Sequence, residues 1–284
     1  GKVSYNVSAQ YGWQNKAVEG TQMLTGAQRL ELAAETLMNS FGWDNARATN
    51  WMLTNRRDFR EWEAAGRVDG GWQDLVEIQD APLQNYNISA TGGSATENFR
   101  ISLGYKQQDG IGLGSEYEQV SGSFSYTKKA GKVTLQTTNR VTNGEQHGQL
   151  EGTAYFGNPM ATKYFMSPNH QAKNADGSWY VPHPAGAHHT PYLMENNIYK
   201  AENTRAISNS SFSYDINDNF KVKSIFAIDF NLGNDHRYQN PIEGDGVGEN
   251  GVSDQSTSRR FTWATINSLE YNQTFGDNEH FVSA

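Results

Sequence analysis

The chain has 284 residues, a net charge of -8 at pH 7 and a sequence pI near 5.4. This acidic balance disfavours a nucleic-acid partner, because phosphate binding requires a basic surface. Cysteine is absent, which removes disulfides, cysteine-based zinc sites and thiol catalysis. No apolar run approaches the length of a transmembrane helix.

The first predicted element is a strand over residues 3–13. Apolar side chains occupy every second position and small polar side chains occupy the others, so the two classes lie on opposite faces. The apolar positions are Val3, Tyr5, Val7, Ala9, Tyr11 and Trp13. At about eleven residues, this strand is long enough to cross a bilayer at a tilt.

A long connection, residues 14–81, follows the first strand and contains one predicted helix over residues 25–39. Thr25 has a suitable side chain for the N-cap of this helix. Apolar residues recur at helical spacing at Leu30, Ala33, Ala34 and Leu37. The connection also carries Trp43, Trp51, Trp62 and Trp72. Packing within a folded loop is one interpretation of these tryptophans, and stacking against sugar rings is the alternative.

Residues 83–127 predict three consecutive antiparallel strands. In the middle strand, Phe99, Ile101, Leu103 and Tyr105 alternate with Arg100, Ser102, Gly104 and Lys106. The flanking strands alternate in the same way, and the Gly-rich link before residue 98 has the composition of a tight turn. A strongly aromatic face opposite a small polar face is typical of transmembrane β-barrels, although a half-buried sheet in a soluble protein also alternates.

The second half of the chain predicts four more strands and the start of a ninth. Strand five covers residues 133–142, where Asn139 interrupts the apolar face. Strand six covers residues 204–216, strand seven begins at residue 220, strand eight lies around residues 260–271, and the ninth begins near residue 281. Long connections are predicted over residues 143–203 and 231–258.

The predicted connections alternate in length without exception. Those after strands one, three, five and seven are about 70, 11, 60 and 27 residues long, and the others are about four to eight, which is the loop pattern of outer-membrane barrels. A soluble sandwich has no reason to sort its loops in this way. We therefore expect residues 14–81 and 143–203 to lie on the extracellular rim of a barrel and to be folded.

Residues 72–126 resemble the SusC/RagA family, the TonB-dependent outer-membrane transporters of Bacteroidetes-type bacteria. The shared pattern is a Trp-Gln-Asp segment, a strand containing Gln-Asn-Tyr-Asn, a Gly-Gly-Ser turn, a Gly-Tyr strand ending in a Gly-rich bend, and an aromatic return strand. Weaker likenesses lie in residues 166–180 and 269–280. The resemblance covers nearly the whole chain.

The resemblance implies that residues 1–284 form one partial barrel, the N-terminal part of a barrel of about 22 strands, whose plug and remaining strands are absent. This all-β, antiparallel portion would have about eight strands plus the start of a ninth, with long extracellular loops, one containing a short helix. Its implied activity is TonB-dependent import of oligomeric nutrients, glycans or peptides, across a Gram-negative outer membrane. The implied partners are a SusD-like lipoprotein and TonB, the latter through a missing N-terminal region.

A soluble, secreted, all-β carbohydrate-binding module is the alternative. The two hypotheses differ in what the apolar strand faces contact, a protein core in the module and lipid in the barrel. For the barrel, Trp13, Tyr105, Trp263 and Tyr271 predict aromatic girdles at the bilayer interfaces. Polar-face residues such as Arg100, Lys106 and Lys221 would meet a plug or water.

The long connections supply the candidate site residues. We expect ligand or partner contacts from Trp43, Trp51, Trp62, Tyr155 and Trp179. His183, His188 and His189 are interpreted as exposed loop residues, with a metal site as the alternative. Asp245, Glu249 and Asp254 are a weak calcium candidate. Because no nucleophile elbow, phosphate loop or marked carboxylate pair is present, we predict no enzymatic activity and no cofactor.

Overall fold

A computed structural model describes residues 2–18, 20–148, 157–275 and 280–283. Its strands form a single antiparallel sheet in which neighbours in sequence are neighbours in space. The strands are β1 Ser4–Gln14, β2 Ala81–Gly93, β3 Glu97–Asp109, β4 Glu116–Ala130, β5 Val133–His147, β6 Ile198–Asp215, β7 Phe220–Gln239, β8 Val252–Phe275 and β9 His280–Ser283. The predicted antiparallel all-β architecture is confirmed.

The strand register places apolar residues in continuous rows across the sheet. Tyr5 lies opposite Ala90 and Val7 opposite Ile88, which in turn lies opposite Leu103. These side chains are open to the surroundings, with Tyr5 73% and Val7 71% exposed. A sandwich would cover this face with a second sheet, but the described residues contain only one. The apolar face therefore needs an apolar solvent or partner.

Strands β6, β7 and β8 are longer than the sequence predicts. The predicted connection over residues 231–258 is wrong, because β7 continues to Gln239, which pairs with Val252 at the start of β8. The true connection is residues 240–251. In this extension, polar residues occupy both faces and the alternation fades, while the backbone ladder continues. The alternation of long and short connections survives this correction.

The prediction of one short helix is also incomplete. The helices are α1 Gly26–Phe41, α2 Asn45–Asn55, α3 Arg57–Ala64, α4 Trp72–Val76, α5 Pro159–Phe165 and α6 Thr190–Asn196, with a 3-10 helix at Gly244–Glu249. The additional helices are short and are stabilised mainly by packing against one another, which leaves a weak local signal. Within the described part of the chain, no helix combines the length and apolarity needed to cross a membrane.

The helix α1 begins where the sequence predicts. The Thr25 hydroxyl accepts a hydrogen bond from the backbone N–H of Gln28 at 3.2 Å, and the side-chain oxygen of Gln28 accepts one from the backbone N–H of Thr25 at 2.9 Å. Together these two bonds form a capping box. The helix ends at Gly42, whose φ of 67° suits a residue without a side chain. The apolar stripe around Leu30 faces the protein interior.

Candidate functional site

The long connections gather at one end of the sheet and pack into a folded unit. We call this unit the loop cap and define it as residues 15–18, 20–80, 157–197 and 240–251. One apolar cluster lies within α1 to α3 and consists of Leu30, Met52, Phe59 and Trp62. A second cluster joins residues 20–80 to residues 157–197. It consists of Trp72, Met166, Ala172 and Ala187. Over the described parts of residues 14–81 and 143–203, the prediction that these connections are folded is confirmed.

A buried ion pair ties the two longest connections together. The carboxylate of Glu77 accepts hydrogen bonds from the ammonium groups of Lys163 and Lys16 and from the Gln73 amide, those from Lys16 and Gln73 at 3.1 and 3.0 Å. Glu77 and Lys163 are both buried. Burial alone would raise the pKa of Glu77, but hydrogen bonds from Lys163, Gln73 and Lys16 outweigh it and lower this pKa to about 2.

A second polar network joins α1, α3 and the segment after α5. The guanidinium of Arg29 donates to Asp58 at 2.7 Å and to the side-chain oxygen of Asn169 at 3.2 Å. Asn169, which is fully buried, donates in turn to the carbonyl of Gly26 at 3.2 Å. Burial would raise the pKa of Asp58, but Arg29 and Arg56 lower it overall. Both connections are therefore fixed to each other by buried polar contacts as well as by apolar packing.

Backbone hydrogen bonds attach the loop cap to the sheet. The amide of Ile78 donates to the carbonyl of Ile111 at 2.8 Å, and the amide of Leu113 donates to the carbonyl of Val76 at 2.9 Å. Glu77 forms an isolated bridge with Gly112 between these two bonds. The cap is thus held against the short connection between β3 and β4. Glu77, whose side chain forms the buried ion pair, is itself part of that attachment.

Two histidines that the sequence interprets as exposed are part of the interior. His189 is fully buried, and its Nε2 donates to the carbonyl of Ala172 at 2.7 Å while its Nδ1 accepts from the Tyr192 amide at 3.2 Å. His183 is half-buried and has the same pattern, with Gln171 as acceptor and Ala185 as donor. The expectation of exposed loop polarity is therefore wrong for both residues.

These imidazoles are held in their neutral form. Burial lowers the pKa of His183 to about 4 and also lowers the pKa values of His189 and His170. Both nitrogens of His183 and of His189 already have partners, so protonation at Nδ1 would break a bond to a backbone amide. The ring of Trp72 packs edge-on against both, at 5.3 and 5.0 Å between centroids. The histidines serve as structural connectors.

The weak calcium candidate is not assembled in this structure. Asp254 lies within β8 and pairs with Arg237, while Asp245 lies 3.0 Å from Nε2 of His188. Glu249 ends the 3-10 helix. Among the described residues, no group of three or more histidine or acidic side chains is placed to hold a metal ion. The candidate fails because the strand extension moves Asp254 out of the loop.

The candidate aromatic residues fall into three classes. Trp62 is buried and its Nε1 donates to Asp69 at 2.9 Å, so it supports the fold and cannot reach a ligand. Trp179 is half-buried and its Nε1 donates to Glu195 at 2.7 Å. Tyr155 lies outside the described residues. Trp43 is half-buried as well, and Trp51 is exposed on the outside of the cap.

Trp43 and Trp51 form a continuous surface with Phe41, which the sequence did not single out. The ring centroids of Phe41 and Trp43 are 5.3 Å apart, and those of Trp43 and Trp51 are 6.3 Å apart. The guanidinium of Arg47 lies 4.3 Å over the ring of Trp43. We call Phe41, Trp43 and Trp51 the aromatic surface. The signal that could have indicated it is the closeness in sequence of Phe41, Trp43 and Trp51 on either side of the start of α2.

The two faces of the sheet differ as predicted. On the apolar face, Trp13 is 65% and Trp263 is 60% exposed, and Tyr271 packs on Phe220 at 4.8 Å near the end with short turns. On the opposite face, charged side chains pair across strands, as Arg205 does with Asp229 at 2.6 Å. The positions expected in the lumen, Arg100, Lys106 and Lys221, share this polar face. These positions are consistent with interfacial aromatic girdles, which stay a prediction.

No protein-family model matches the chain. Among curated proteins, it is 26% identical over 231 residues to TonB-dependent receptor P26 of Formosa agariphila, covering 75% of this chain and 21% of that protein. It is 25% identical over 257 residues to TonB-dependent receptor P39 of the same organism, covering 81% of this chain and 23% of that protein. The chain therefore spans about a fifth of the length of these relatives.

Among solved structures, the chain is similar to the RagAB peptide importer. In the closed-closed state the TM-score is 0.71 at 15% identity, covering 96% of this chain and 33% of that chain. In the open-open state the TM-score is 0.72 at 15% identity, covering 98% and 33%. This likeness concerns the fold. The matched proteins are receptors and importers rather than enzymes, as predicted.

Proposed function

This chain resembles the SusC/RagA-type TonB-dependent transporters in sequence and in fold, and we propose that it is the N-terminal part of the barrel of such a transporter. The observation that carries the proposal is the uncovered apolar face of the nine-stranded sheet, combined with a polar opposite face. Closing this sheet into a barrel requires further strands, because β1 and β9 each have one neighbour among the described residues. A plug and those strands complete the proposed protein.

The proposed protein lies in the outer membrane and imports oligomeric nutrients. Its loop cap faces the outside of the cell, where a SusD-like lipoprotein covers it, and TonB acts through a region outside this chain. Support comes from the relatives, which are named TonB-dependent receptors, and from the fold of a peptide importer. Both glycans and peptides are candidate cargo for the proposed transporter.

The membrane placement is tested with spin labels in the full-length protein. Labels at Tyr5, Ile101 and Phe226 lie on the apolar face, and a label at Ser102 lies on the polar face as the matched control. We expect the three apolar-face labels to be accessible to oxygen in lipid and protected from a water-soluble quencher. We expect the Ser102 label not to show this combination of oxygen accessibility and quencher protection. Immobile labels that neither reagent reaches would indicate a covered sandwich face and contradict the proposal.

Transport is tested by uptake of labelled oligosaccharides and labelled peptides into cells with and without TonB. Energy-dependent uptake that disappears in both the TonB deletion and the deletion of this gene supports the proposed function. Uptake that continues in either deletion contradicts it.

A further inference from the structure

The aromatic surface lies on the outside of the loop cap and is only partly covered by neighbouring residues. Phe41 is 64% and Trp51 is 37% exposed, while Trp43 between them is half-buried. Among the other tryptophans of the cap, Trp62 and Trp72 are buried in its interior and Trp179 is half-buried. Contiguous exposed aromatic rings are unfavourable in water and mark sites where another molecule is recognised.

The guanidinium of Arg47 lies beside these rings with its hydrogen-bond donors unpaired among the described residues. The guanidinium of Arg47 contacts the ring of Trp43 and forms no hydrogen bond or ion pair within the described part of the chain. The side-chain amide of Asn50, on the same helix, is likewise exposed and unbonded among the described residues. A guanidinium with free donors matches a carboxylate or a sulfate group, to which it can form two parallel hydrogen bonds.

The size of the aromatic surface argues against a protein as its main occupant. A stable protein interface covers roughly 800 Å² on each partner. A large aromatic side chain buries only about 150–250 Å² in total, and here three such side chains are already partly covered.

We propose that the aromatic surface binds an acidic oligosaccharide. Sugar rings stack through their C–H faces on the exposed rings of Phe41 and Trp51, and a carboxylate or sulfate substituent pairs with Arg47, which the ring of Trp43 holds in place. The ring contacts provide affinity for sugars in general, while Arg47 selects for negative charge. This inference rests on the proposed function, because it names the cargo class that the cap collects.

Isothermal titration of the full-length protein in detergent tests the inference. The probes are tetragalacturonate, which carries carboxylates, a carrageenan tetrasaccharide, which carries sulfates, neutral maltotetraose, and tetraglutamate. We expect at least one acidic sugar to bind more tightly than maltotetraose and tetraglutamate. Trp43→Ala and Trp51→Ala should each lower the affinity for that sugar by about tenfold or more. Arg47→Gln should remove the preference for that sugar over maltotetraose.

Leu32→Ala serves as the matched control, because Leu32 is an exposed apolar residue of α1 away from the aromatic surface. Its affinities should equal those of the parent. The inference is overturned if neither acidic sugar binds, if the three substitutions leave sugar binding unchanged, or if tetraglutamate binds equally well through the same residues. Such a result in a protein that shows the expected spin-label pattern and TonB-dependent uptake would leave the proposed function intact.

Discussion

At the scale of single residues, the loop cap depends on polar groups that have no access to water. Lys163 and Glu77 form a buried ion pair between two connections, and His183 and His189 each bridge two backbone groups in neutral form. Leaving such a buried group without its partner costs free energy, so loss of any one of these contacts should destabilise the cap.

Removing one partner of the buried ion pair should loosen the cap. We expect Lys163→Met to lower the free energy of unfolding of the cap by about 3–5 kcal/mol, because Glu77 would stay buried without its main partner. The double substitution Lys163→Met with Glu77→Met should recover most of this loss. Hydrogen exchange of residues 157–165 in the full-length protein measures both. Lys129→Met, on an exposed lysine at the other end of the sheet, is the control.

The neutral histidines predict a loss of cap stability in mild acid. The pKa of His183 is lowered from 6.5 to about 4 in the folded cap. Between these values the unfolded chain binds a proton that the folded cap does not, so stability falls as the pH drops from 6.5 towards 4 and is constant above this window. Glu77 contributes a similar loss only below its ordinary pKa of 4.5.

Hydrogen exchange of residues 183–193 at pH 7.5, 6.5 and 5.5, corrected for intrinsic exchange rates, measures this dependence. In the double variant His183→Gln with His189→Asn, the slope between pH 6.5 and 5.5 should become smaller. An opening free energy that does not change with pH in the parent protein would contradict the interpretation.

At the scale of elements, connection length separates the two ends of the sheet. Residues 15–80, 148–197 and 240–251 leave one end, whereas the turns 94–96, 131–132 and 216–219 leave the other. Because adjacent strands are antiparallel throughout, all connections of one parity must share an end. The sidedness of the whole loop cap can therefore be tested with one residue at each end.

Single-cysteine labelling of the full-length protein tests this sidedness, because this chain has no cysteine of its own and any cysteine elsewhere in the protein can be replaced by serine. On intact cells, a membrane-impermeant maleimide should label Ala65→Cys, on the exposed end of α3, and should not label Asp218→Cys in the turn between β6 and β7. After the outer membrane is permeabilised, both should react. Labelling of Asp218→Cys alone on intact cells would show that the orientation is inverted.

At the scale of the whole molecule, the buried apolar side chains lie in the loop cap, whereas the sheet exposes its apolar side chains. The largest fully buried side chains, among them Trp62, Phe59 and Met166, belong to the loop cap and not to the sheet. The sheet instead exposes its apolar face and carries charge pairs on the other. A sheet of this kind is stable in lipid when closed into a barrel, where no edge is left unpaired.

The sequence alone determined the number and order of the strands, their faces and the alternation of connection lengths, but not how far β6, β7 and β8 extend. Alternation between faces follows from the local geometry of a strand, so Tyr5, Ile101 and Phe226 could be assigned to one face without knowledge of the fold. The start of α1 at Thr25 was likewise predictable, since a capping box needs only residues three apart.

Only the tertiary structure decided which loop residues are buried. Arg29, Asp58 and Asn169 meet in one network although they are far apart in the sequence, and His189 is buried because Ala172 and Trp72 pack against it. Trp62 and Trp51 look equivalent in the sequence, but one fills the core and the other faces outward. Periodicity reports which face a residue occupies, and burial of that face depends on contacts between segments that no local pattern records.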